Sequence, residues 1–176
     1  MRIIAGYLGG RLFTAPRGHR THPMSDKMRG ALFNMLGDIK GLTVLDAFSG
    51  SGALAYEALS RGAGQVTLIE QDRHAQKTIA ENIAALGLDD RARLIKANAN
   101  SWFRTSPNIE FDLVLLDPPY NALQYDLLEL LVECVSANGK VILSWPGKQE
   151  LMKFPGFTLQ SSKNYGDGSL HVYVRA

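Results

Sequence analysis

Two short runs hold the residues whose types and spacing can do chemistry. The first is Asp46-Ala47-Phe48-Ser49-Gly50-Ser51-Gly52, which follows the apolar, partly β-branched Thr43-Val44-Leu45 and precedes a helix-forming stretch. A strand, a tight glycine turn and a helix N-terminus read out in that order. Gly50 and Gly52 let the backbone come close to a bound molecule, since no Cβ stands in the way. Gly50 and Gly52 with Ala55 also satisfy the loose dinucleotide fingerprint, and Glu70 stands about where that fingerprint wants a ribose acid. On the glycine turn alone, a nicotinamide cofactor is therefore one reading. The second run is Asp117-Pro118-Pro119-Tyr120. Successive prolines lack N–H donors and fix φ, which leaves a stiff loop with outward carbonyls. The Asp117 carboxylate and the Pro118 carbonyl can then accept from one NH₂ group, and Tyr120 offers a ring on which a base stacks. A base amine is a weak nucleophile because its lone pair is delocalised. Two acceptors on its hydrogens turn that pair towards an electrophile, so positioning is much of the catalysis. A hydride-transfer enzyme has no use for such a loop.

From residue 43 onward, strand and helix patterns alternate with short connections. The spacing predicts strands at about 43–48, 65–70, 92–96, 111–117 and 139–145, and helices at about 52–61, 72–86, 98–104 and 124–136. Such alternation implies parallel strands with right-handed crossovers and helices on both faces, an α/β fold. After Pro146, FTLQSSKNY and SLHVYVRA flank Gly166-Asp167-Gly168 and read as an antiparallel pair closing the sheet. In an open α/β sheet, ligands sit beyond the carboxyl ends of the strands. The residues there are Asp46, Phe48, Ser49, Gly50 and Gly52 after the first strand, and Glu70 and Gln71 after the second. Asn98 follows the third and Asp117 the fourth. Glu70 suits the two hydroxyls of a ribose, and the Asn98 amide suits the edge of an adenine. An acid or amide at a strand end can equally cap the next helix. Upstream, Ser25 is a possible N-cap for a helix that runs through Met28, Ala31, Leu32, Met35 and Leu36 to a stop at Gly37, with Asp26, Arg29 and Asn34 on its other face.

The 176 residues amount to one domain, with ordinary globular composition. Net charge is only +2, but Arg2, Arg11, Arg17, Arg20, Lys27 and Arg29 crowd the beginning, where Asp26 is the one acid before Asp38. That asymmetry favours a polyanionic partner. Residues 2–14 read as two short strands around Gly9-Gly10, a hairpin whose exposed arginines suit a phosphate backbone. Cys134 is the only cysteine, so no internal disulfide forms and a buried structural thiol is expected. No signal segment or membrane span is visible. The histidines, at 19, 22, 74 and 171, lack metal-binding spacing, and no metal is expected. A cytoplasmic monomer is the expectation.

Asp46 before the glycine turn, paired with the later Asp117-Pro118-Pro119-Tyr120, resembles the class I S-adenosylmethionine-dependent methyltransferases that modify exocyclic amines. Their fold is a Rossmann-like seven-stranded sheet with helices on both faces, here with an N-terminal β-hairpin extension. Over nearly its whole length the chain is similar to the bacterial RsmD family, 16S ribosomal RNA guanine-N2 methyltransferases. MRIIAGYLGGRLFTAP, HPMSDKMRGALFNML, DAFSGSGALAYEALSRGA, LIEQD, DPPY and YGDGSLHVY carry the resemblance. It implies guanine as the base, N2 as the atom, and 16S rRNA in the small subunit or its assembly intermediate as the partner. It further implies a hairpin and basic loop at 1–24 that bind RNA, and a methyltransferase domain at 25–176. The implied catalytic residues are Asp117, Pro118 and Tyr120. The cofactor, S-adenosylmethionine, falls to Asp46, Phe48, Ser49, Gly50, Gly52, Glu70, Gln71 and Asn98. The substrate falls to Arg2, Arg11, Arg17, Arg20, Asp26, Arg29 and Pro119. His22 stands where the family often has arginine, and Asn98 where related enzymes commonly have an acid. An adenine-N6 DNA methyltransferase shares DPPY, but no spare domain is present to read DNA. An RNA-binding assembly factor without catalysis is the remaining alternative.

Overall fold

The structure, a computed structural model, describes residues 1–16 and 24–176. Its first helix, α1 (Asp26–Leu36), begins where Ser25 accepts from the Met28 N–H and ends at Gly37. A serine cap of this kind is worth about 1 kcal/mol over alanine. There follow β1 (Thr43–Asp46), α2 (Ala53–Ser60), β2 (Gln65–Glu70), α3 (Arg73–Leu86), β3 (Ala92–Lys96), α4 (Ala99–Thr105) and β4 (Phe111–Leu116). The chain closes with α5 (Tyr125–Leu131), β5 (Val135–Pro146), β6 (Phe157–Tyr165) and β7 (Gly168–Arg175). One sheet holds the seven strands in the order β3-β2-β1-β4-β5-β7-β6. The first five run parallel, and β7 lies antiparallel to both β5 and β6. Strand order reverses between β1 and β4, so a crevice opens at their carboxyl ends, next to Asp46 and Asp117.

Side-chain alternation divides the core in two. Val44, Val66, Leu68, Leu113 and Leu115 face one way, against Leu32, Phe33, Leu59 and Ile79. Leu45, Ile69, Val114, Leu116 and Leu143 face the other, against Trp102, Leu128 and Leu131. Strands buried on both faces are the reason these runs read as continuously apolar.

Two sequence expectations change. The helix expected at 124–136 stops at Leu131, turns as a 3₁₀ segment over Val132–Cys134, and becomes β5 at Val135, ahead of the expected 139. Its pairing with β4 slips between Phe111↔Val135 and Leu113↔Lys140, a bulge that contains Asn138 at φ 61°. The N-terminal pair of strands reduces to a single antiparallel bridge, Arg2↔Leu12, within a looped-back segment. Ile3, Leu8 and Phe13 of that segment are buried in the core of the first face. Gly6, at φ 81°, lies so close to α2 that a Cβ there would sit 1.9 Å from the Ser60 carbonyl oxygen. The close approach lets the Tyr7 N–H reach the Ser60 carbonyl and the Leu8 N–H reach its hydroxyl. No helix among the described residues is long and apolar enough to cross a membrane.

Candidate active site

At the carboxyl ends of the parallel strands lies a cleft of about 1250 Å³. Phe48, Ser49, Gly50, Glu70, Gln71 and Asn98 line one half of it. Asp117, Pro118, Pro119, Tyr120 and Ser144 line the other, with Tyr165, Asp167 and Gly168 of the β6–β7 turn above them. Residues from all four expected strand ends therefore meet here, Phe48 to Gly50, Glu70 with Gln71, Asn98 and Asp117, whereas Asp46 and Gly52 are buried and do not line the cleft.

The β1 end carries Asp46, 1% exposed, with both carboxylate oxygens lacking a hydrogen-bond partner. Burial, then the neighbouring charges of Asp117 and Glu70, push its pKa up to about 8, while the nearby N–H groups of Phe48 and Ala55 offset this only in part. The turn after it is tight. Gly52 caps α2 at φ 79°, and a Cβ there would meet the Tyr56 hydroxyl at 2.3 Å. Ser49 is turned inward, its hydroxyl donating to the Asp46 carbonyl at 3.0 Å.

Glu70 joins two turns, accepting from the Gly50 N–H at 2.7 Å and from the Asp72 N–H at 2.7 Å. Burial raises its pKa, against the pull of these donors. Asn98 caps α4 by accepting from the N–H groups of Asn100 and Ser101, and its amide donates to Gln71 Oε1 at 2.9 Å. Capping and cleft lining are thus combined in one side chain.

Asp117 follows β4, and burial lifts its pKa to about 6, with the Ser144 hydroxyl holding it down. Tyr120 keeps 39% of its surface exposed while its hydroxyl lies 2.7 Å from Ser144 Oγ. Ser144 was not among the residues expected to act. It sits near the end of the predicted strand 139–145, where the strand-end rule would have found it. The β6–β7 turn is a second omission, although Gly166-Asp167-Gly168 was already legible as a turn.

The arginines divide. Arg29, expected to meet substrate, is completely buried beneath the N-terminal segment. It donates to Asp26 Oδ1 and the Arg2 carbonyl, both at 2.8 Å, and lies 3.9 Å from Glu57. A side chain so enclosed ties α1, α2 and the N-terminal segment together and cannot reach a ligand. Asp26 is part of the same tie, bonded also to Arg2 at 3.1 Å, and the two arginines lower its pKa against the opposing effect of desolvation. Arg2 and Arg11 remain on the surface, Arg11 donating to the Ala85 carbonyl at 3.2 Å. Arg17 and Arg20 lie outside the described residues.

Against known proteins, the family model described as conserved hypothetical protein 95 matches residues 1–174. Ribosomal RNA small subunit methyltransferase D of Escherichia coli is 38% identical over 140 residues, covering 79% of this chain and 68% of that protein. The chain belongs to the RsmD family. YlbH of Bacillus subtilis is 31% identical over 182 residues, 99% of each chain. The solved structure of Escherichia coli yhhF superposes with a TM-score of 0.90 at 32% identity, covering 99% of this chain and 97% of that one. The RsmD resemblance, read over nearly the whole length from the opening motif to YGDGSLHVY, agrees with the family match over residues 1–174.

Proposed function

We propose that this RsmD-family chain transfers a methyl group from S-adenosylmethionine to the exocyclic N2 of a guanine in the 16S rRNA of the small ribosomal subunit. The observation that carries the reading is the pair of carboxylates at the two strand ends flanking the topological switch, Asp117 on the wall of the cleft and Asp46 buried next to the turn Ala47 to Ser51 that lines it.

The residues present fit this cofactor. A buried carboxylate with no partner is costly unless a cation joins it, and Asp46 is such a group. An α-ammonium beside it satisfies both. Gly50 and Gly52 leave room for the methionine part, Glu70 is the candidate for the ribose hydroxyls, and Gln71 and Asn98 for the adenine. When bound, S-adenosylmethionine supplies an electrophilic methyl on a sulfonium. Everything else falls to the chain. Asp117 and the Pro118 carbonyl accept from the amine of a guanine that has left its stack, while Tyr120 and Pro119 support its ring. Asp117 then takes the proton that the alkylated nitrogen sheds.

Guanine, N2 and the 16S molecule come from the family, since the cleft's acceptors fit any base NH₂. The exposed Arg2 and Arg11, with Arg17 and Arg20 of the same basic run, are the candidates for holding RNA phosphates. The N-terminal segment is in this reading the RNA-facing part of the enzyme, which acts as a monomer in the cytoplasm. Its short basic face favours an assembled or partly assembled subunit, whose shape supplies further contact.

The experiment is transfer of labelled methyl to small subunits lacking the modification, beside free 16S rRNA and DNA, with nucleoside identification after digestion. N2-methylguanosine is expected from the subunits. Label in DNA adenine, or none despite intact cofactor binding, would overturn the proposal.

A further inference from the structure

We infer that Ser144 is a positioning residue for the methyl transfer, the middle of a hydroxyl relay that runs from Tyr120 through Ser144 to Asp117 and carries the amine's proton out. The inference rests on the function proposed above and concerns a residue outside both chemistry-bearing runs.

Three observations carry it. Leu143 of β5 pairs in register with Leu116 of β4, so the residues that follow, Ser144 and Asp117, emerge side by side at the carboxyl edge. Ser144 is 2% exposed yet lines the cleft, and its Oγ lies 2.7 Å from the Tyr120 hydroxyl. The β6–β7 turn closes over this pair, since a Cβ on Gly168 would stand 3.0 Å from the Tyr120 hydroxyl oxygen. Tyr120 is therefore fixed at its hydroxyl end while its ring keeps an exposed side for a base.

A serine hydroxyl owns one proton, which gives the chain a direction. Beside an ionised Asp117, Ser144 donates to the carboxylate and so must accept from Tyr120. One lone pair of Asp117 is engaged this way, and the remainder face the amine. As the N–H bond of the alkylated amine breaks, an O–H bond forms on Asp117. Both hydroxyls then turn about their C–O bonds so that Asp117 faces Ser144 as donor, Ser144 faces Tyr120 and Tyr120 faces water. The Asp117 proton passes to Ser144 Oγ, the serine's own proton to the Tyr120 oxygen, and the tyrosine's to water at its exposed side. The relay then resets, with Asp117 ionised again and the amine's proton in solvent. The Ser144 bond also lowers the Asp117 pKa, so the base stays ionised to lower pH than burial alone would allow.

The test compares Ser144→Ala, Tyr120→Phe and the double variant with wild type in single-turnover methyl transfer across pH, in H₂O and D₂O. Thermal melting and S-adenosylhomocysteine binding check that each variant folds. Tyr120→Phe keeps the ring and removes only the hydroxyl. Each single variant is expected to slow transfer about tenfold or more, and the double variant by no more than about twofold beyond either, because both break one relay. The acidic limb of the Ser144→Ala profile moves to higher pH. Losses that multiply in the double variant, or a Ser144→Ala profile superimposable on wild type, would overturn the inference while leaving the proposed function intact. If wild type yields no N2-methylguanosine, the proposed function itself fails and takes the relay with it.

Discussion

Glu57 and Asp46 are both acids with almost no surface exposure, yet they do opposite things. Glu57, beneath the N-terminal segment, accepts from the Ile4 N–H at 2.7 Å, the Ala5 N–H at 3.1 Å and Arg61 Nε at 2.7 Å, with Arg29 3.9 Å away. Asp46, behind the cleft, has no hydrogen bond of good geometry on either carboxylate oxygen and only the nearby N–H groups of Phe48 and Ala55 to offset its burial. Burial of a charge is thus no sign of a site. A buried charge left unsatisfied is one, because it keeps a cost in the empty protein that a ligand can remove. The first acid fastens the N-terminal segment to α2 and α1. The second awaits a cation.

The contrast can be broken most forcefully at Glu57. Glu57→Ala removes the fully buried carboxylate beside Arg29 and Arg61 and frees two backbone donors, so it should cost about 3–5 kcal/mol, read as a lowered midpoint in urea. A neutral result would mean that the N-terminal segment is not fastened there.

Asp46→Asn should act in two directions. Affinity for S-adenosylhomocysteine should fall by roughly tenfold to a hundredfold, the range for a hydrogen bond to a charged group, as titration calorimetry reads. The empty protein should become more stable at alkaline pH. The sign follows from linkage: an acid whose folded pKa lies above its unfolded value holds more protons when folded, so stability falls as pH rises from the unfolded pKa, near 4, to the folded value of about 8. A melting temperature that drops in wild type across that window, and drops less in Asp46→Asn, is the expected pattern.

The same ionisation shapes binding. An α-ammonium pairs with Asp46 only after the carboxyl loses its proton. Wild-type affinity for S-adenosylhomocysteine should therefore climb from about pH 6 to about pH 8, by at most roughly tenfold per unit. Asp46→Asn should lose the climb. A pH-independent wild-type affinity would remove Asp46 from the ammonium site.

The smallest effect belongs to the surface. Arg11→Ala should weaken RNA binding evenly across sequences and reduce the salt slope by about 1, measured by filter binding at several salt concentrations.

How much of this was legible in the sequence depends on how local the cause is. β2 and β3 match their expected bounds, because β-branched and apolar runs between turn residues are local signals. The cleft was legible too, since ligand sites at strand ends follow from topology once the alternation is read. Arg29 was not. Its burial depends on Glu57, 28 positions later in the chain, and on a backbone loop folding over both. Glu57 itself sits in α2, whose eight residues are all buried, so no polar face marked it out. The early end of α5 was hidden because Val132 and Cys134 continue an apolar helical pattern through the 3₁₀ turn. Ser144 looked like one more strand residue until Tyr120 was seen to reach it.

The division of labour in the cleft is tested most directly by measuring S-adenosylhomocysteine affinity and single-turnover methyl transfer side by side for Asp117→Ala and Asp46→Asn. Asp117→Ala is expected to bind as wild type does and to lose transfer by about a hundredfold or more. Asp46→Asn is expected to bind weakly and to recover most of its rate at saturating cofactor. Intact transfer by Asp117→Ala would remove that residue from the chemistry, and equal losses of binding and rate in both variants would contradict separate cofactor and base halves.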